Sequence, residues 1–236
     1  PFLLGLALGL VAAAAEARVV GITIDRREPV LGGKAFGLAG PYETLVGTVE
    51  LALDPSLRQN RGVVDLDLAP RNERGEVVFT ADLFILKPVD LRRGNGRVYY
   101  EVPNRGGKGI LRRLQYAEPS LDPRAPADFG DAWLLEQGFS IAWMGWQWDV
   151  PERPGLLRLR APIATSGGRP IEGLVRSVVI VGERKDEAPL ADSSHLAYPP
   201  VDPNGRDSRL TVRDHPLDPP LLLPRKKWRF VGATKV

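Results

Sequence analysis

The stretch "VYYEVPNRGGKG", residues 98–109, decides how this chain is read, because a run of strand formers meets Pro103 and then a glycine-rich, cationic turn. Proline has no N–H to give to a ladder, so the strand has to stop there. The residues that follow, Asn104, Arg105, Gly106, Gly107, Lys108 and Gly109, can turn backbone N–H groups outward with little side-chain obstruction. Three ligand uses compete with a plain tight turn. A phosphate-cradling loop needs Ser or Thr after its lysine and an immediate helix, whereas Gly109 and Ile110 follow Lys108. A dinucleotide fingerprint needs G-x-G-x-x-G opening a helix, and here the next helical pattern begins only at Asp128. The third use is an oxyanion hole, in which amides meet the negative oxygen that develops when an acyl carbon becomes tetrahedral.

Downstream, "ADFGDAWLLEQG" predicts a short helix with Asp128 as N-cap, Asp131 in the first turn and Gly138 just past the end. "FSIAWMGWQWDV", residues 139–150, predicts a fully buried strand with Trp146, Trp148 and Asp149 at its outgoing end. Strand, glycine turn, helix and strand make a βαβ crossover, which demands a parallel pair and places this part in the α/β class. Residues 110–127, interrupted by prolines, are expected to be irregular. Upstream, "RVVGITIDRR", "TLVGTVELALD", "VVDLDLAP" and "EVVFTADLFILKP" read as strands, the last two as an antiparallel hairpin. Beyond Pro151, "LLRLRAPI", "LVRSVVIVGE" and "SRLTVRD" read as short strands in a β-rich insertion.

Composition narrows the function. The chain has 236 residues, 32 basic against 29 acidic, and its net charge of +3 is scattered without a basic stripe, so no nucleic-acid partner is expected. It has no cysteine, which removes a thiolate nucleophile, Cys-ligated metal, disulfides and a lipid-anchor acceptor. "PFLLGLALGLVAAAA", residues 1–15, is short for a bilayer span and ends in small residues; residues 1–17 read as an export signal clipped at its front, without a stable membrane anchor. The expected location is periplasmic or extracellular.

Trp143 alternates to the side opposite Trp146 and Trp148. Core packing is the plain role for these indoles, and Trp146, Trp148 and Asp149 are the candidates for a substrate-pocket wall. His195 and His215 read as solvated loop residues. They have no metal-ligand spacing, and neither a metal nor a cofactor is expected.

The segments "GPYETLVGTVELALDP", "EVPNRGGKG", "LLEQGFSIAWMGWQWDVP", "HLAYPP" and "LTVRD" resemble the exported bacterial proteins of the alpha/beta hydrolase domain family, over most of residues 19–231. The resemblance implies a partial α/β-hydrolase sheet, with its first strands and first helix. A β-rich leader would share residues 18–150 with it, and a β-rich insertion would fill 151–236. It further implies a small carboxylic-ester substrate, and oxyanion amides from Asn104, Arg105, Gly106 and Gly107 in place of a His-Gly-Gly-Gly run. The departure is equally plain, because no G-x-S-x-G occurs. "GFSIA" at 138–142 leads into a strand, and Ser166, Ser193 and Ser194 lie in loops. The chain is therefore expected to stop before the nucleophile elbow and to be inactive alone. The alternative is a non-catalytic β-rich periplasmic module for binding or scaffolding.

Overall fold

Gly40–Leu53 and Val77–Pro88 carry the longest apolar alternations in the chain, and they pair antiparallel without a break from Tyr42↔Pro88 to Leu53↔Val77. The structure, a computed structural model, describes residues 17–191, 195–205 and 207–236; the expected export signal, apart from Ala17, and both Ser193 and Ser194 lie outside these. In chain order the strands are β1 (Arg18–Pro29), β2 (Ala35–Phe36), β3 (Gly40–Leu53), β4 (Val77–Pro88), β5 (Val98–Glu101), β6 (Ser140–Met144) and β7 (Leu159–Arg160). They form one sheet ordered β1–β3–β4–β6–β5, with β2 beside β3 and β7 beside β4. Two small hairpins follow, β8 (Thr165–Ser166) with β9 (Arg169–Pro170), and β10 (Leu210–Val212) with β11 (Leu221–Leu223).

Both faces of the central strands are apolar, because alternate residues of β4 point opposite ways. Phe84 and Leu86 join Tyr42, Ile141 and Trp143 in the larger cluster, while Ala81 and Leu83 join Val49 and Leu51 in a smaller one. The larger cluster is closed by α1 (Ile110–Gln115) and α2 (Trp133–Glu136), through Ile110, Leu111, Leu134 and Leu135.

The expected α/β class, with its partial α/β-hydrolase sheet, is overturned. Among the described residues the protein is mostly β, 30% strand against 18% helical with 3-10 turns included, in a mixed sheet whose one parallel pair there is β5–β6. The two α-helices among the described residues have 6 and 4 residues, too short to cover a sheet face. Backbone conformation limits them: Tyr116 after α1 and Ala132 before α2 are left-handed, and Pro119, Pro123 and Pro126 lie between.

Several local expectations also change. Asp128 is no helix N-cap; it lies in the 3-10 turn Pro126–Phe129 and accepts from the amides of Arg124 and Ala125. Gly138 does take positive φ after α2, at 77°. Residues 110–115, expected irregular, are helical. "VVDLDLAP" is not a strand: it follows a 3-10 turn at Arg58–Gly62 and holds another at Leu66–Leu68, Asp65 is left-handed, and β3 takes its place beside β4. The strand expected over 139–150 ends at Met144, where the chain from Arg158 into β7 takes over the edge of β4: Asp82 N–H donates to the Arg158 carbonyl and Leu159 pairs with Ala81. "LVRSVVIVGE" has no ladder partner among the described residues. Among the described residues no helix is long and apolar enough to cross a membrane.

Candidate functional site

Glu101 explains the turn that follows β5. It ends a strand whose other residues are exposed, yet is itself 9% exposed. Its carboxylate accepts from the amides of Gly109 (3.0 Å) and Ile110 (2.8 Å), from Trp143 Nε1 (2.5 Å) and from Arg113 (3.0 Å). One buried anion thus joins the end of β5, the end of the glycine loop, the first residue of α1 and the indole of β6. A carboxylate accepting several N–H groups is held far more firmly than one facing water.

Between Pro103 and Gly109 the chain makes a tight bend, with Arg105 (φ 52°) and Gly106 (φ 76°) both left-handed. Gly106 cannot be replaced without displacement, since an added Cβ would lie 2.6 Å from the Leu157 carbonyl oxygen. Two of the four amides considered for an oxyanion, those of Arg105 and Gly107, are engaged in this arrangement. Arg105 N–H donates to Gln147 Oε1 at 2.8 Å, and Gly107 N–H donates to the Asn104 carbonyl at 3.2 Å. The Gly106 carbonyl accepts from Leu157 N–H, and Asn104 is exposed.

Because β5 and β6 run parallel, the segment after β6 arrives beside this loop. The Arg105 guanidinium binds the Asp149 carboxylate at 2.8 Å and the Asp149 carbonyl at 2.9 Å, and Trp146 Nε1 donates to the Pro103 carbonyl at 2.7 Å. Burial alone would raise the Asp149 carboxyl, but its bond to Arg105 and that cation's charge hold it below the usual carboxylate range. Trp148 meets Tyr198 edge to face at 5.5 Å, and Leu196 N–H donates to the Asp149 carbonyl at 2.8 Å. The segment from His195 to Tyr198 is therefore brought beside the site, while His195 itself is exposed in a loop, as its sequence context suggested. His215 stays in an exposed turn, where its N–H donates to Asp218. Trp146, Trp148 and Tyr198 remain 50%, 45% and 48% exposed, so this is an open aromatic surface and not a closed pocket.

Lys108, considered above as a phosphate ligand, is turned inward. Its ammonium donates to the carbonyls of Leu121 (2.5 Å) and Gly155 (2.7 Å) and lies 4.6 Å from the centre of the Phe84 ring. Burial pushes it from 10.5 down to about 8. A depressed lysine favours the neutral form in the fold, so between about 8 and 10.5 the unfolded chain holds more protons and stability rises with pH. That contribution is complete above 10.5 and lost as pH falls through about 8. Urea midpoints measured from pH 7 to 9.5 should climb in the wild type relative to Lys108→Met; parallel profiles for the two would refute this assignment.

Two hollows lie elsewhere. One of about 300 Å³ is lined by Glu28, Val30, Arg124 and Phe129; another of about 200 Å³ is lined by Arg26, Asp82, Lys108 and Asp122. Neither is lined by residues 104–107, Trp146, Trp148 or Asp149. Among the described residues no group of His, Asp and Glu is placed to hold a metal ion. Sequence reasoning missed Glu101 and Gln147. An acidic residue closing an aromatic strand was a readable signal for the first; a neutral amide among tryptophans was not one for the second.

No protein-family model, curated protein or solved structure matches this chain.

Proposed function

We propose that this chain is the substrate-holding part of an exported carboxylic-ester hydrolase. The reaction class comes from the resemblance of residues 40–55, 101–109 and 134–151 to the alpha/beta hydrolase domain family. One observation in the structure supports it: a neutral side-chain oxygen, Gln147 Oε1, sits 2.8 Å from the Arg105 N–H, beside exposed indoles at the outgoing ends of two parallel strands. That is the separation an oxyanion-hole donor keeps from its oxygen, so Gln147 occupies the position of the substrate oxygen and leaves when an ester enters. The acyl or alcohol group then lies against Trp146 and Trp148. No G-x-S-x-G occurs in these 236 residues, so on this reading they supply the substrate-holding surface and not the nucleophile.

The test uses the 236-residue chain. Phenyl butyrate should quench tryptophan fluorescence saturably, with binding weakened about tenfold in Trp148→Ala, and p-nitrophenyl butyrate should not be hydrolysed above background. Unsaturable or absent quenching overturns the substrate site. Turnover that survives alanine at Ser140, Ser166, Ser193 and Ser194 overturns the serine scheme. The exposure of Trp146, Trp148 and Tyr198 also favours a second reading, a non-catalytic module that stacks carbohydrate on these rings. Saturable quenching by a β-linked oligosaccharide, with none by phenyl butyrate, would select it.

A further inference from the structure

Two apolar features of this chain are left unmatched, and each has the form the other lacks. The first is the outer edge of β5, which ends the sheet and pairs with β6 alone among the described strands. Val98, Tyr99 and Tyr100 on it are 65%, 36% and 47% exposed, and Val102 just beyond is 58% exposed. The second is the segment Leu174–Val181, which belongs to no strand. Leu174 and Ile180 are exposed at 108% and 94%, and Val175, Val178, Val179 and Val181 are exposed as well. Its aliphatic residues fall on both sides of a period-two alternation, the pattern of a strand buried on both faces.

The opposite edge of the sheet shows how an open edge is normally kept from pairing. β1 carries Arg18, Asp25, Arg26, Arg27 and Glu28, and its register with β3 is broken between Val19 and Gly21 and again between Ile24 and Arg26. Charges and bulges of this kind blunt an edge. β5 has neither: its one charged residue, Glu101, is turned inward onto the glycine loop, and its register with β6 is regular. It is the edge of this sheet that can accept a strand.

We infer that two copies of this chain associate by strand exchange, residues 174–181 of each adding to the open edge of β5 in the other. A reciprocal pairing has two-fold symmetry and satisfies both unmatched features of both copies. Main-chain hydrogen bonds along the two junctions supply the affinity, and the apolar side chains of residues 174–181 and of β5 leave water together.

The experiment is sedimentation equilibrium on the 236-residue chain at micromolar concentrations. Wild type should be dimeric. Ile180→Asp and Tyr100→Lys, both at exposed positions and so expected to keep the thermal midpoint, should each raise the dissociation constant at least 100-fold. Mixing the two variants restores one of the two junctions, an intact edge from the first and an intact segment from the second, so the mixture should associate more tightly than either alone. A monomeric wild type overturns the proposal, as does a variant that stays dimeric, or a mixture no tighter than its components.

Discussion

Glu101→Gln is expected to lower stability by about 3 kcal/mol, the effect of leaving buried donors facing a neutral amide in place of an anion. The amide oxygen can keep the Oε2 position with its donors Gly109, Ile110 and the Trp143 indole, but as a weaker acceptor than the anion, and its NH₂ then faces the Arg113 guanidinium (3.0 Å) and the Gly109 N–H (3.2 Å) from the Oε1 position. For a chain of this size that loss corresponds to roughly 6–12 °C in the thermal midpoint. Trp143, fully buried, reports the local consequence through its emission. Arg113→Ala is the control: Arg113 also binds Glu101, but its side chain is 67% exposed, and an ion pair open to water contributes about 1 kcal/mol or less. Equal, small shifts for Glu101→Gln and Arg113→Ala in urea denaturation would show that the carboxylate does not organise the loop.

Gly130→Ala should be at least as damaging, for a steric reason. Gly130 has φ 55° and ψ −129°, a region open in practice to glycine alone, and an added Cβ would lie 1.7 Å from the Gln115 carbonyl oxygen. That oxygen already accepts from Asp131 N–H, and the fully buried Gln115 side chain is bonded to the Phe129 carbonyl and the Leu134 amide. The contact between the two helices therefore has no slack. A loss of about 4 kcal/mol is expected, read as a fall in the midpoint followed by far-ultraviolet circular dichroism. Gly96→Ala separates the two causes, because Gly96 also has positive φ (72°) but has nothing within 4 Å of its added Cβ; about 1 kcal/mol is expected there. A Gly130→Ala loss no larger than that of Gly96→Ala would refute the steric argument.

The strands that bury a regular alternation were legible in sequence. β3 and β4 lie where the apolar period places them, since a period of two is a local property of the chain, and β5 lies where its strand formers run up to Pro103. Partner choice is not local. Asp65 and Asp67 alternate with Val64, Leu66 and Leu68 as a half-buried strand would, but β3 offers β4 a longer apolar match, and residues 63–70 turn aside. The helix expected around Trp133 shrank for a similar reason: its pattern was sound, but the left-handed backbone at Ala132 leaves it one turn. At the candidate site, sequence singled out Arg105, Gly106, Trp146, Trp148 and Asp149, and the structure brings them together. It left out Gln147, which holds the Arg105 amide, and the segment from His195 to Tyr198, because contacts across more than forty residues have no periodic signature.

The glycine loop takes its shape from partners synthesised well after it. Lys108 needs the carbonyls of Leu121 and Gly155, Gly106 needs Leu157, and Arg105 needs Gln147 and Asp149. On a ribosome the bend thus stays unmade until residues up to 157 have cleared the exit tunnel. The boundary that sequence drew at residue 150 is consequently no place to cut, for a chain ending there would lack the atoms that close its own centre.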